Sequence, residues 1–208
     1  MGRVHITKVG DVDSSAALSH LLRSDSNGFS LIEVLTLLVV LGIVTSIAAP
    51  RLDVQRYQIE GAMQSVGSTL LTAQRAAVQR QHDVIVAFDE QNSRIRIHAD
   101  ANNDGAIGHD ELVRWESLGD GVHFGRAGAP VLLGNEASIS FSLRQNGLPA
   151  VTFSRNGAAS EEGALYLTSA RALGDLAYTH DTRALRIDRS TGRPGWYRLE
   201  GTQWKREF

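Results

Sequence analysis

Apolar residues fill most positions of FSLIEVLTLLVVLGIVTSIAAP, residues 29–50, and Glu33 is the one charged residue among them. A helix needs about 20 largely apolar residues to cross a bilayer core, so the run predicts a transmembrane helix over residues 29–50. Pro50 is expected to kink the helix where it leaves the membrane. The pattern then becomes one-sided. Ile59, Met63, Val66, Leu70 and Ala77 recur at spacings of three, four or seven, with Arg56, Glu60, Gln64, Gln74, Arg75 and Gln79 on the polar side. This is the period of an amphipathic helix. It predicts that residues 51–82 continue the first helix and lay an apolar stripe on a folded domain.

After Gln81 the period shortens to two. DVIVAF, SRIRIHA, LVRWESL, SISFSL, AVTFS, ALYLTS, ALRIDR and WYRLE are short, alternating and rich in β-branched and aromatic residues, and Gly, Asn and Asp clusters separate most of them. Such segments predict antiparallel strands from about 84 to 200. The fold class is therefore α+β, with a long N-terminal helix packed on an antiparallel β-sheet domain over residues 83–208.

Composition changes this picture little. Hydrophobic residues make up 42% of the 208 positions and charged residues 21%, as in an ordinary globular protein. The formal charge of −2 gives no global basic field, so any polyanion site has to be local. There is no cysteine, which excludes disulfides, thiolate zinc sites and a cysteine nucleophile.

Gly28 followed by Phe29, then Ser30, Leu31, Ile32, Glu33 and the apolar run to Pro50, resembles the type IV prepilin motif shared by pilins and the pseudopilins of type II secretion. The resemblance implies that a membrane-embedded prepilin peptidase cuts between Gly28 and Phe29. Residues 1–28 would then be a leader, and Phe29 would be N-methylated. It also implies a role for Glu33 in assembly, as attractor of the terminal amine of a neighbouring subunit. The physical chemistry agrees. A carboxylate at membrane depth needs a partner, and the new α-amino group of Phe29 is cationic at neutral pH. Glu33 also suits the positive end of the helix dipole, and the two roles are compatible. The leader departs from the short basic form: Arg3, Lys8 and Arg23 are balanced by Asp11, Asp13 and Asp25.

The order of helix, meander and closing segment VTFSRNG…ALYLTS…ALRIDRSTGRPGWYRL resembles the H-type minor pseudopilins and the related FimT-like minor pilins. The resemblance implies a single-pass protein of the bacterial inner membrane with its C-terminal domain in the periplasm. Its expected partners are other pseudopilins or pilins in a hetero-oligomeric filament, the prepilin peptidase and the inner-membrane assembly platform. The expected function is that of a minor pseudopilin of type II secretion. The alternative is a FimT-like minor pilin in pilus assembly or DNA uptake, and only that reading calls for nucleic acid.

Two local motifs carry chemistry of their own. DANNDGAIGHDE, residues 100–111, fits the calcium-loop template, with Asp100, Asn102, Asp104, the carbonyl of Ala106 and Glu111 as ligands. Oxygen donors at alternate positions and a closing carboxylate are what a hard cation needs. The flanks read as strands, so this would be a calcium-type loop closing a hairpin. The simpler reading is a polar turn bonded to its own backbone. No cofactor is required for the expected function, and calcium is the one candidate. The second motif is the basic, aromatic C-terminal stretch, in which Arg189, Arg193 and Arg198 are the candidate DNA contacts. No catalytic motif is present: there is no nucleophile elbow, no P-loop and no helical His pair. The chain is not expected to be an enzyme.

Overall fold

The computed structural model describes residues 29–48 and 54–207. They fall into two units, Met1–Leu52 and Asp53–Phe208. The described part of the first unit is a helix, α1 (Leu31–Ala48). The Ser30 carbonyl starts it by accepting from the Glu33 and Val34 amides at 2.9 and 3.1 Å. Glu33 lies in the first turn. Thr36 and Thr45 turn their hydroxyls onto the carbonyls of Ile32 and Leu41, both at 2.7 Å, which satisfies these polar groups within the helix. From Leu31 to Val44 the remaining surface is apolar all round, and the leucines, valines and isoleucines of this stretch are exposed, as in a helix whose surroundings are apolar.

α1 has 18 residues, a length of about 27 Å at 1.5 Å per residue, against the roughly 30 Å of a bilayer core. Among the described residues no helix is long and apolar enough to cross a membrane. The transmembrane helix expected over residues 29–50 ends at positions outside the described residues, as does the kink expected at Pro50.

The second unit opens with α2 (Val54–Arg80), whose buried face comprises Ile59, Ala62, Met63, Val66, Gly67, Thr69, Leu70, Ala73 and Ala77. This is the apolar stripe of the sequence, filled in by small residues. It packs on two antiparallel sheets. The first has strand order β3-β2-β1-β6-β5, from β1 (Asp83–Asp89), β2 (Arg94–Asp100), β3 (Val113–Ser117), β5 (Arg144–Gln145) and β6 (Leu148–Phe153). The second has order β10-β9-β8-β7-β4, from β4 (Val122–Phe124), β7 (Gly163–Ser169), β8 (Arg183–Ile187), β9 (Pro194–Glu200) and β10 (Gln203–Arg206).

One core joins the helix to both sheets. Ile59, Val66 and Leu70 of α2 meet Val84, Val86 and Phe88 of β1 and Leu165, Leu167, Leu185 and Ile187 of β7 and β8. Phe88 stacks on Phe141 with ring centroids 5.5 Å apart and meets Phe124 edge-on at 6.0 Å, both favourable aromatic geometries. Gly67 lets the helix approach β9, since a Cβ there would come within 2.6 Å of the Trp196 indole.

The expected strand SISFSL is not a regular strand. Ile139 and Phe141 enter the core, but pairing is limited to the Ile139–Leu165 bridge. The Ser142 and Leu143 amides instead donate to the Glu161 carboxylate at 2.9 and 2.8 Å, while the Leu143 carbonyl accepts from the Ala150 amide of β6 at 2.9 Å. The β7–β8 connection, not anticipated as helical, forms the short helix α3 (Ala170–Gly174) and a 3₁₀ helix (Leu176–Asp181). Ser169 and Asp175 cap them by accepting from the Ala172 and Ala177 amides.

Candidate functional site

The assembly segment follows directly from the start of α1. Phe29 and Ser30 precede the helix and are exposed, and Glu33 lies within its first turn. Gly28, the other side of the expected scissile bond, lies outside the described residues.

The calcium-type loop joins β2 to β3 and is closed by its own hydrogen bonds. Asp100 accepts from the amides of Asp104 at 3.1 Å and Gly105 at 2.8 Å. Asn102 accepts from the Asp104 amide at 3.0 Å and donates to the Asp104 carboxylate at 2.8 Å, and the other Asp104 oxygen takes the Ala106 amide at 2.7 Å. Glu111 reaches back across the loop. Its Oε1 takes the Ala101 amide at 3.0 Å, and its Oε2 takes the Gly108 amide at 2.7 Å and His98 Nε2 at 2.8 Å. The Gly108 amide, and then His98, hold the Glu111 carboxyl down to about 2.

The carboxylate that closes the template is already engaged. A carboxylate oxygen offers about two lone-pair sites, and both sites of Glu111 Oε2 are taken, so Glu111 has no bidentate face left to present. Among the described residues no group of three or more His, Cys, Asp or Glu side chains could hold a metal ion.

Sequence reasoning missed what stands behind the loop. β2 turns Arg94, Arg96, His98 and Asp100 to one face, opposite Ile95 and Ile97, and most of that polar face is buried. The His98 ring is fully buried. With the proton assigned to Nε2 by the Glu111 contact, its Nδ1 accepts from Gln145 Nε2 at 2.9 Å. Gln145 Nε2 also donates to the Gly105 carbonyl at 2.9 Å, and Arg96 Nη2 donates to the Gln145 carbonyl and side-chain oxygen at 2.9 and 3.2 Å. A chain of bonds thus runs from Arg96 through Gln145 and His98 to Glu111 and the loop. The alternation in RIRIHAD could have signalled a second polar face on β2, but nothing local points to Gln145, which is 47 residues from His98.

The basic C-terminal stretch is spread over the second sheet. Arg189 and Arg193 are exposed on the β8–β9 turn, and Arg193 borders an open groove of about 680 Å³ with Gln74, Arg75, Asn156 and Trp196. Arg198 lies on β9 and pairs with Glu207 at 3.0 Å. Acidic partners also meet the neighbouring cations: Glu162 holds Arg186 and Glu200 holds Lys205. The aromatic residues are committed to packing. Trp196 lies against Gly67, and Trp204 packs on Tyr166 with centroids 5.8 Å apart and donates to the Pro130 carbonyl at 2.9 Å. The structure therefore gathers Arg189 and Arg193 on one turn and leaves Arg198 in an ion pair.

No curated protein sequence matches the chain significantly. Among solved structures, it is similar to the minor pseudopilin EpsH from the type 2 secretion system of Vibrio cholerae, at 13% identity and a TM-score of 0.41. That likeness covers 72% of this chain and 96% of that one. It is also similar to the type IV minor pilin FimU of Pseudomonas aeruginosa, at 16% identity and a TM-score of 0.42, covering 72% of this chain and 94% of that one. The model of the family described as type II transport protein GspH matches residues 62–192, from the third turn of α2 to the β8–β9 turn, and the chain belongs to that family.

Proposed function

We infer that the chain is a minor pseudopilin of a type II secretion system, a structural subunit of the periplasmic pseudopilus with no catalytic role of its own. The observation that carries this reading is the family match over residues 62–192. In this account α1 anchors the subunit in the inner membrane and the second unit lies in the periplasm. The prepilin peptidase frees and methylates Phe29, and the assembly platform moves the subunit into a filament of other pseudopilins. Glu33 then neutralises the terminal amine of a neighbour. Its place four residues after Phe29, as the one acid of an apolar helix, supports that role.

The test is deletion of the gene. Secreted substrates should then accumulate in the periplasm and be exported again when the wild-type chain is restored, while pilus-dependent motility and DNA uptake stay normal. A second reading, as a FimT-like minor pilin, draws on Arg189 and Arg193 sharing one exposed turn. It requires the opposite outcome, with secretion intact and pilus assembly or DNA uptake lost.

A further inference from the structure

Four of the described strands end the two sheets: β3 and β5 in the first, β10 and β4 in the second. An edge strand shows a row of unpaired amides and carbonyls that another strand can join, and proteins guard such edges with short length, lysine, proline or a bulge. β5 has two residues and β4 three. β10, QWKR, carries Lys205 beside Arg206. β3, VRWES, has none of these guards: its five residues run in unbroken register with β2.

The ladder decides which groups of β3 face outward. The Ala99 amide donates to the Leu112 carbonyl and the Leu118 amide to the Ser93 carbonyl, both at 2.9 Å. Bonded pairs alternate along an antiparallel ladder. Arg114 and Glu116 therefore bond β2, and the amides and carbonyls of Val113, Trp115 and Ser117 point away from the sheet. Among the described residues nothing bonds these groups. Two large apolar residues beside them are also uncovered, Leu112 at 63% and Trp115 at 40% exposed.

The strand is complementary to itself. Arg114 and Glu116 flank Trp115 on one face of the strand and pair with each other at 2.6 Å. When two copies of β3 run antiparallel about a two-fold axis at Trp115, Val113 of each copy faces Ser117 of the other, the two Trp115 face each other, and each Arg114 faces a Glu116. The facing positions with outward groups then exchange both of their backbone bonds. Opposite charges and aromatic pairs across strands favour this register. Sliding one copy by two residues sets Arg114 against Arg114 or Glu116 against Glu116, and like charges directly opposite are destabilising.

We propose that β3 is a docking edge for a second copy of this chain, which joins the first sheets of two subunits into one across a two-fold axis. Such a contact closes on itself. The pair is thus distinct from any filament contact, and it covers the unguarded edge of the unassembled subunit.

The chain has no cysteine, so cross-linking can read the register. Full-length Val113→Cys and Ser117→Cys chains, purified in detergent, are treated with the short thiol-bridging reagent dibromobimane, each alone and after mixing. Circular dichroism and thermal midpoints matching the wild type establish that each variant is folded. In the two-fold pair the Cα atoms of positions 113 and 117 of different copies lie about 5.5 Å apart. Two copies of position 113, or of 117, lie about 14 Å apart at 3.4 Å per residue. The expected result is a cross-linked dimer in the mixture, several-fold above either chain alone. Arg114→Glu in both chains should remove most of it, because two acids then face each other. Arg114→Glu in one chain mixed with Glu116→Arg in the other should restore it, although each chain then carries like charges within its own strand. Equal cross-linking of the mixture and the separate chains, or none in any sample, overturns the pair. A cross-link that Arg114→Glu in both chains leaves unchanged, or that the complementary mixture fails to restore, overturns the charge pairing that selects a second copy.

Discussion

Arg183, at the first position of β8, buries its guanidinium against α2: its Nε and Nη2 donate to Glu60 Oε1 at 2.9 and 2.6 Å, and its Nη1 donates to the His180 and Thr182 carbonyls at 2.9 and 3.2 Å. The Arg183 side chain is 2% exposed and that of Glu60 34%, so the pair is a helix-to-sheet tie with one end in the core. Removing one partner of such a pair strands a buried charge, which costs about 3–5 kcal/mol when the pair is fully buried.

Glu60→Ala is therefore expected to lower the stability of the domain by about 2–3 kcal/mol, below that range because Glu60 is partly solvated. Glu60→Gln, which keeps an acceptor for Arg183, should cost less. The double variant Glu60→Ala with Arg183→Met should recover part of the loss, since no charge is left buried. Urea unfolding of the three variants measures this. Equal stability of wild type and Glu60→Ala would remove the tie from the account.

Gly67→Ala sets two effects against each other. Alanine gains about 0.5–1 kcal/mol over glycine inside a helix, but its Cβ would stand 2.6 Å from the Trp196 indole, and overpacking costs about 1–3 kcal/mol. The net expectation is a destabilised domain with altered tryptophan emission. A stabilised variant with unchanged emission would mean that β9 is free to move away from α2.

Acid should loosen the β8–β9 turn. Asp188 accepts from Ser190 Oγ at 2.7 Å and from the Thr191 amide and hydroxyl, both at 2.8 Å, and these bonds lower its carboxyl to about 2. An unfolded aspartate titrates near 3.9. Its folded-state pKa is depressed, so the stabilisation is fully present above about pH 4 and is lost as pH falls towards 2. Asp188→Asn should be less stable than the wild type at pH 7 and should show a shallower loss between pH 4 and 2. Parallel stability curves for the two proteins over that window would show that Asp188 does not contribute.

The loop at residues 100–111 should fold without added metal, because its amides already bond both oxygens of Asp100 and, with His98, fill Glu111 Oε2. Thermal midpoints of the chain in chelator, magnesium and millimolar calcium are expected to coincide. Glu111→Gln should lower all three alike, through its bonds to Gly108 and His98. A rise in calcium alone that Glu111→Gln abolishes would show that Glu111 leaves His98 for the ion.

Much of this architecture was legible in the sequence. Ile59, Met63, Val66, Leu70 and Ala77 announced α2 because one face of a helix repeats with its turn, and all five are buried. The strand DVIVAF announced itself by its β-branched content, and ALYLTS and ALRIDR by their short length and alternation. SISFSL misled because alternation shows which residues face inward but not whether the outward amides find a strand, and here Glu161 takes them. The loop template was also legible, but the local pattern gave no sign that His98 and Gln145 would occupy Glu111 from behind. The pairing of Arg183 with Glu60 joins residues 123 apart, and a single sequence carries no mark of such a contact.

The account stands most directly on the N-terminus of the chain within a filament. Pseudopili isolated from secreting cells are to be digested and their terminal peptides weighed, for the wild type and for Glu33→Ala. The account predicts that the wild-type chain is present and begins at N-methylated Phe29, without peptides from residues 1–28, and that Glu33→Ala is cleaved and inserted in the membrane but depleted from the filament. Absence of the wild-type chain from pseudopili, or its recovery there with residues 1–28 attached, would contradict the account.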